Sequence, residues 1–136
     1  MDDLEAARAF YTEVLGCGVG RSKLESCVFN LHGHQIVAHR VAEMPALSIN
    51  PVDGKAVPAM HFGLVLEWDA WHAMRDRLEA AGQTFVVGPY LRYADQPGAQ
   101  ATMFIRDPAG NHLEFKSFKN DAMIFDASWS HDAPEA

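Results

Sequence analysis

Cysteine is scarce in this chain of 136 residues: only Cys17 and Cys27, outside any C-x-x-C pattern. Two are too few to staple a small secreted domain, so free thiols in a reducing cytoplasm are expected. Basic residues are in the minority as well. Eleven Lys and Arg stand against eighteen Asp and Glu, a formal charge of -7, with no basic cluster to offset it. Phosphate binding needs clustered cations, so nucleic acid is not an expected partner. Long apolar runs are missing too: none approaches the roughly 20 residues that span a bilayer. Met1 is followed by Asp2 and Asp3 rather than by a basic and then apolar segment, so neither export nor a membrane is expected. What the chain does have is 49% hydrophobic residues, enough at this length for a core of its own.

The apolar residues are periodic. Asp3 is placed to cap a helix with Leu4, Ala7, Tyr11 and Val14 on one face and Gly16 where a left-handed terminator belongs. Short β-like runs follow at 18–23, 27–31 and 35–41, the last two joined by a turn at His32-Gly33-His34. Residues 43–58 hold Pro45, Asn50, Pro51, Gly54 and Pro58 in weak periodicity and read as a connecting loop. Beyond it lies an apolar run, 60–68, with His61 inside it. A helix capped by Asp69 comes next, with Trp71, Met74, Leu78 and Ala81 on one face and Gly82 at its end. Strands at 84–87, 101–106 and 112–118 complete the pattern, the last two joined through Asp107-Pro108-Ala109-Gly110-Asn111. Trp68, Trp71 and Phe85 read as core.

These elements repeat. Asp3 to Gly16 and Asp69 to Gly82 are both 13 residues apart (16 − 3 and 82 − 69). From helix-ending to hairpin glycine the spans are 33 − 16 = 17 and 110 − 82 = 28. The eleven extra residues are assigned to an overhanging loop at 90–100. Two copies of one unit predict an α+β fold of pseudo-twofold build. The expected organisation is one domain: an αβββ module at 1–42, a linker at 43–58, a βαβββ module at 59–118 and a tail at 119–136.

The helix-ending Phe10-Tyr11-x-x-x-Leu15-Gly16 and the turn Asp107-Pro108-x-Gly110-x-x-x-Glu114 resemble the glyoxalase / bleomycin resistance protein / extradiol dioxygenase (vicinal oxygen chelate) superfamily. The resemblance runs from Asp3 to about Phe118. It implies two βαβββ modules whose curled sheets enclose a cup with a divalent metal at its base. Carried over by position, His61 and Glu114 match metal ligands on the first and last strands of module two. Each has a bland alternative: a hydrogen-bonded core histidine and a strand-edge carboxylate. Superposing Gly33 on Gly110 sets Gln35 opposite His112, Val37 opposite Glu114 and His39 opposite Lys116. Val37 cannot bind a metal, so the four-ligand glyoxalase arrangement is disfavoured, and the resemblance narrows to a two-histidine, one-carboxylate site with open positions.

The second histidine is then implied on a first strand of module one. His61 precedes Asp69 by 69 − 61 = 8 residues, and 3 − 8 = −5, so the third ligand is expected upstream of Met1. A sheet without that strand presents an unpaired edge, which invites another chain. Iron(II) or manganese is the expected metal, with zinc or nickel as alternatives. Gln35, His39, Tyr93 and Lys116 are candidates for substrate binding, with Tyr90 and Arg92 beside Tyr93 on the loop; His32 and His34 read as turn residues. Phe104 stands where ring-cleaving relatives carry a tyrosine. The resemblance therefore implies a metal-dependent enzyme, most like an extradiol-type dioxygenase, on a small molecule with vicinal oxygens. A glyoxalase-like lyase or isomerase, or a metal-free binding protein, are the alternatives. A homodimer is implied, with Phe125 and Trp129 in the tail covering the open edge or the interface.

Overall fold

A computed structural model of the chain describes residues 1–46 and 48–128. Asp3 caps α1 (Leu4–Ala9) as expected, its carboxylate accepting from the N–H groups of Glu5 and Ala6. The helix then widens into a π-turn, Phe10–Val14, and ends at Gly16 with φ +75°. Strands β1 (Gly18–Lys23), β2 (Ser26–Leu31) and β3 (His34–His39) form an antiparallel sheet in that order. Along β3, Ile36 and Ala38 join the core, whereas Gln35, Val37 and His39 are exposed on the opposite face. That is the alternation expected from the sequence.

Module two is complete. Parallel β6 (Phe62–Val65) lies beside β9 (His112–Phe118), followed by β8 (Gln100–Arg106) and β7 (Phe85–Arg92), with α2 (Trp68–Ala80) packed behind. Asp69 is not the cap of α2: the helix begins one residue earlier, and Glu67 occupies the cap position without a side-chain bond. Gly82 does terminate it with φ +68°. Of the predicted core residues, Trp71 is buried, while Trp68 and Phe85 are half-buried against the same cluster.

Residues 43–58 are more than a loop. Ile49–Val52 (β4) and Lys55–Pro58 (β5) pair as an antiparallel hairpin around Asp53-Gly54, both with positive φ, +51° and +70°. That is the backbone a tight two-residue hairpin turn demands, and Asp-Gly supplies it cheaply. The strand read at 84–87 is longer too. β7 runs on to Arg92, so residues 90–92 are strand, while 93–99 form the loop that leads into β8.

One hydrophobic cluster spans both modules, joining Ala7, Tyr11 and Phe29 to Trp71, Leu78, Ile105 and Phe115. Tyr11 and Asp107 come from the two motifs noted in the sequence, and here they meet. The buried Tyr11 hydroxyl donates to Asp107 Oδ2 at 3.0 Å, and Asn111 donates to both oxygens of the same carboxylate. Burial, then the Asp107 charge, pushes the Tyr11 hydroxyl far above the usual phenol range. From α2, Arg77 reaches across to the carbonyls of Val14 and Glu13 at the end of the first helix. Among the described residues no helix is long and apolar enough to cross a membrane. Phe125 is 95% exposed, so it covers no part of this chain. Trp129 lies outside the described residues.

Candidate functional site

Alternation on β9 decides which side chains face the cup. Leu113, Phe115 and Ser117 are buried toward α2, leaving His112, Glu114, Lys116 and Phe118 half-buried on the other face. Trp71 Nε1 donates to the Phe115 carbonyl at 2.8 Å and so ties this strand to α2 next to Glu114. On the other side, β6 approaches so closely that a β-carbon at Gly63 would stand 1.6 Å from the Glu114 carbonyl oxygen. Only glycine permits that pairing.

The approach brings His61 and Glu114 together, as the sequence predicted. His61 Nε2 and Glu114 Oε2 are 3.3 Å apart, and the carboxylate side chain keeps 14% of its exposure. His61 Nδ1 lies 2.8 Å from the Pro58 carbonyl. A carbonyl only accepts, so Nδ1 carries the proton and donates. In a neutral ring Nε2 is then a bare lone pair aimed at a carboxylate oxygen. Two acceptors at that distance repel unless a proton or a metal cation stands between them. A histidine that gives its second nitrogen to a backbone carbonyl and turns the first toward a carboxylate has the outer-sphere arrangement of a metal ligand. Thr102, paired with Lys116 across β8 and β9, donates its hydroxyl to Glu114 Oε1 at 2.6 Å, and Lys116 Nζ is 3.4 Å from the same oxygen. The other carboxylate oxygen is left for His61. Phe104 packs edge-on to the imidazole, ring centroids 5.1 Å apart, and limits its rotation. Among the described residues no group of three or more His, Cys, Asp or Glu side chains converges.

Other candidates scatter. Lys116 belongs to the site. Gln35 and His39 line a groove beside the outer edge of β3, with Val37 and with Phe62, which also lines the cavity next to His61. Tyr93 does not reach the site. It follows Arg92, which pairs through Gln100 to Phe118, four residues along β9 from Glu114 and roughly 13 Å away at the strand rise. There Arg92 and Tyr90 both bind the Asp53 carboxylate, at 2.5 and 3.0 Å, and Arg92 also donates to the Tyr93 hydroxyl. Tyr90 and Arg92 fasten the hairpin from the same sheet face as Glu114, toward the far end of β9.

Thr102, Gly63 and the Pro58 carbonyl were missed. Threonine in a strand is unremarkable by type, and only its place opposite Lys116 marks it. A cavity of about 670 Å³ opens beside His61, under the hairpin and against the turn at Gly110. His112 is in its wall, with Nδ1 buried and unpartnered. Burial, with Arg106 next, holds that imidazole below the usual histidine range.

The sequence matches the family model described as Glyoxalase/Bleomycin resistance protein/Dioxygenase superfamily over residues 1–115. No protein with a curated description matches it. Among solved structures, a glyoxalase/bleomycin resistance protein/dioxygenase from Alicyclobacillus acidocaldarius is 25% identical with a TM-score of 0.78, covering 92% of this chain and 90% of that one. The fosfomycin resistance protein FosX from Listeria monocytogenes is 14% identical, with a TM-score of 0.66 and 91% of each chain covered. Lactoylglutathione lyase from Agrobacterium tumefaciens is 21% identical, with a TM-score of 0.58, covering 85% of this chain and 86% of that one. These last two likenesses are of fold.

Proposed function

Because the chain belongs to the Glyoxalase/Bleomycin resistance protein/Dioxygenase superfamily, we propose that His61 and Glu114 are two ligands of a divalent metal in an enzyme for small molecules with vicinal oxygens, most like an extradiol-type dioxygenase. One observation carries this reading: with Nδ1 turned to the Pro58 carbonyl, His61 Nε2 stands 3.3 Å from a Glu114 carboxylate oxygen. Iron(II) or manganese suits one carboxylate and imidazole nitrogen with open positions. The metal, when bound, would chelate both substrate oxygens and draw charge from them.

The chain's own groups prepare that site. Pro58 fixes the His61 tautomer, Thr102 holds one oxygen of Glu114, and Phe104 packs edge-on against the imidazole. Lys116 places a positive charge where an anionic oxygen of the substrate would come. A further ligand would come from a strand laid along the outer edge of β3. Met1 already bridges that edge in parallel fashion, donating to the His39 carbonyl and accepting from the Val41 N–H. The same reading carries a homodimer. Val37, Phe62 and Val65 are exposed apolar residues on the β3 and β6 strands, and light scattering should give twice 15.0 kDa. The unpaired thiols of Cys17 and Cys27 fit a cytoplasmic setting.

A metal-free binding protein is the second reading, favoured by Lys116, which balances the Glu114 charge without a cation. A lyase would need a second carboxylate where Val37 stands. Anaerobic equilibration with iron(II) or manganese(II), followed by dialysis and elemental analysis, tests the first reading. Bound metal that His61→Ala and Glu114→Gln both abolish is the expected result. Absence of metal in the wild-type chain and in Lys116→Ala overturns it and leaves the binding protein. Oxygen uptake with a panel of catechols then tests the dioxygenase, and a metal-loaded chain that consumes none removes it.

A further inference from the structure

The cavity beside His61 carries a charge pattern opposite to that of the chain. The protein has eighteen acidic residues to eleven basic ones, yet no aspartate or glutamate lines this space, whose ionisable groups are Arg106, His61 and His112. Arg106 has no hydrogen bond or ion pair from its guanidinium among the described residues. The neighbouring Asp107 is already committed to Tyr11 and Asn111. The guanidinium lies over Gly110, with Nη2 3.7 Å from where a β-carbon there would stand, at the turn that closes the cavity. Much of the remaining wall is apolar, with Met60 and Phe62 in it.

Register sets the distance across this space. Arg106 pairs with His112 on β9, and Phe62 pairs with Leu113, which puts His61 level with His112 on the next strand. Arg106 and His61 therefore stand two strand spacings apart, roughly 10 Å between their backbones. A cavity of this volume is in the range of small-molecule sites. An unpaired guanidinium at one end of an apolar floor selects for a planar, bidentate anion.

We propose that this cavity takes an organic monocarboxylate, its carboxylate held by Arg106 and its apolar body lying on Met60 and Phe62 toward His61. The assignment rests on the proposed function in taking the space beside His61 for the substrate, but it does not depend on a metal, so the two fail separately.

The test uses the full chain in the presence of a chelator, with 3-phenylpropionate and its uncharged isostere 3-phenylpropanamide as probes. Binding is followed by calorimetry and by backbone amide shifts in NMR spectra. A ligand of this size should bind the cavity in the millimolar range. The acid is expected to bind at least about tenfold tighter than the amide, the worth of one charge-assisted pair. Arg106→Gln should erase that preference while leaving amide binding alone, and Arg106→Lys should retain part of it. Met60→Ser should weaken both probes alike. Equal binding of acid and amide overturns the proposal, as does a preference that survives Arg106→Gln or a wild-type chain that binds neither probe. Metal uptake by Arg106→Gln, measured separately, should equal that of wild type. Loss of carboxylate preference and loss of metal are thus distinct outcomes.

Discussion

At the scale of the residue, the site depends on a group that is absent. Gly63→Ala puts a methyl carbon where the Glu114 carbonyl oxygen already lies, 1.6 Å away, so β6 must move off β9. The strain of forcing atoms into occupied space is typically about 1–3 kcal/mol. Urea denaturation should show a loss of at least that size, and His61 should lose its register with Glu114, lowering metal uptake as well. Unchanged stability in Gly63→Ala would mean the close approach is not real. Tyr11→Phe is a second residue-scale case. It removes a buried donor from Asp107, which still accepts from Asn111, and should cost about 1–3 kcal/mol by the same measurement. His61 and Glu114 were legible through the family resemblance, which carried both over by position, and polar side chains in otherwise apolar strands need partners. Thr102 was not legible, because strands favour threonine for its shape alone. Gly63 was equally silent: a glycine announces a close approach only when the opposite strand is known. Tyr93 was chosen on loop polarity, which says nothing of which end of a sheet the loop serves.

At the scale of the element, the hairpin β4–β5 is the main addition to what the sequence showed. Asp53-Gly54 is a strong hairpin signal, but Pro51 and Pro58 within the flanking runs argued against strands. Proline is tolerated here because a two-stranded ribbon has outward-facing edges where no N–H is needed. The first helix and the glycine stops of both helices, by contrast, were legible because a capping Asp3 and left-handed terminators act locally, whereas the start of α2 has no side-chain cap to mark it. The hairpin is held to module two by Val57 against Val87 and Phe104, and by Asp53 bound to Tyr90 and Arg92. Lys55 also lies 4.7 Å from the Tyr90 ring centroid. Arg92→Ala should therefore raise hydrogen exchange in residues 49–58 while amides of β8 and β9 stay protected. Equal exchange in both forms would place the hold in Val57 alone. Burial, and then the bond to Asp53, pushes the Tyr90 hydroxyl from 10.0 up to about 12. A raised value means the folded state favours the protonated phenol. Its contribution is present in full below pH 10 and is lost as pH climbs through about 12. Hairpin protection should fall in that window, and Tyr90→Phe should flatten the dependence. A fall of equal size in Tyr90→Phe would assign it to another group.

At the scale of the whole molecule, the question is whether two repeated modules behave as two bodies or one. Each has its own sheet, and residues 43–58 connect them without belonging to either. Yet Ala7, Tyr11, Leu15 and Phe29 of module one share a single buried cluster with Trp71, Leu78 and Phe115 of module two. Arg77 of α2 satisfies carbonyls that the first helix leaves open, and the bond from Tyr11 to Asp107 ties that helix to the turn before β9. Neither sheet can bury its inner face if the other leaves. At 136 residues the chain is also within the size at which single domains commonly unfold in one step. One cooperative transition is therefore expected. Native-state hydrogen exchange in rising urea should bring the amides of β2 and of β8 to a common opening free energy, and Arg77→Ala should lower both by the same amount. Should β1–β3 open at lower urea while β6–β9 stay closed, the modules would be separate cooperative units. The Tyr11–Asp107 bond would then be a contact between them and not part of a shared core.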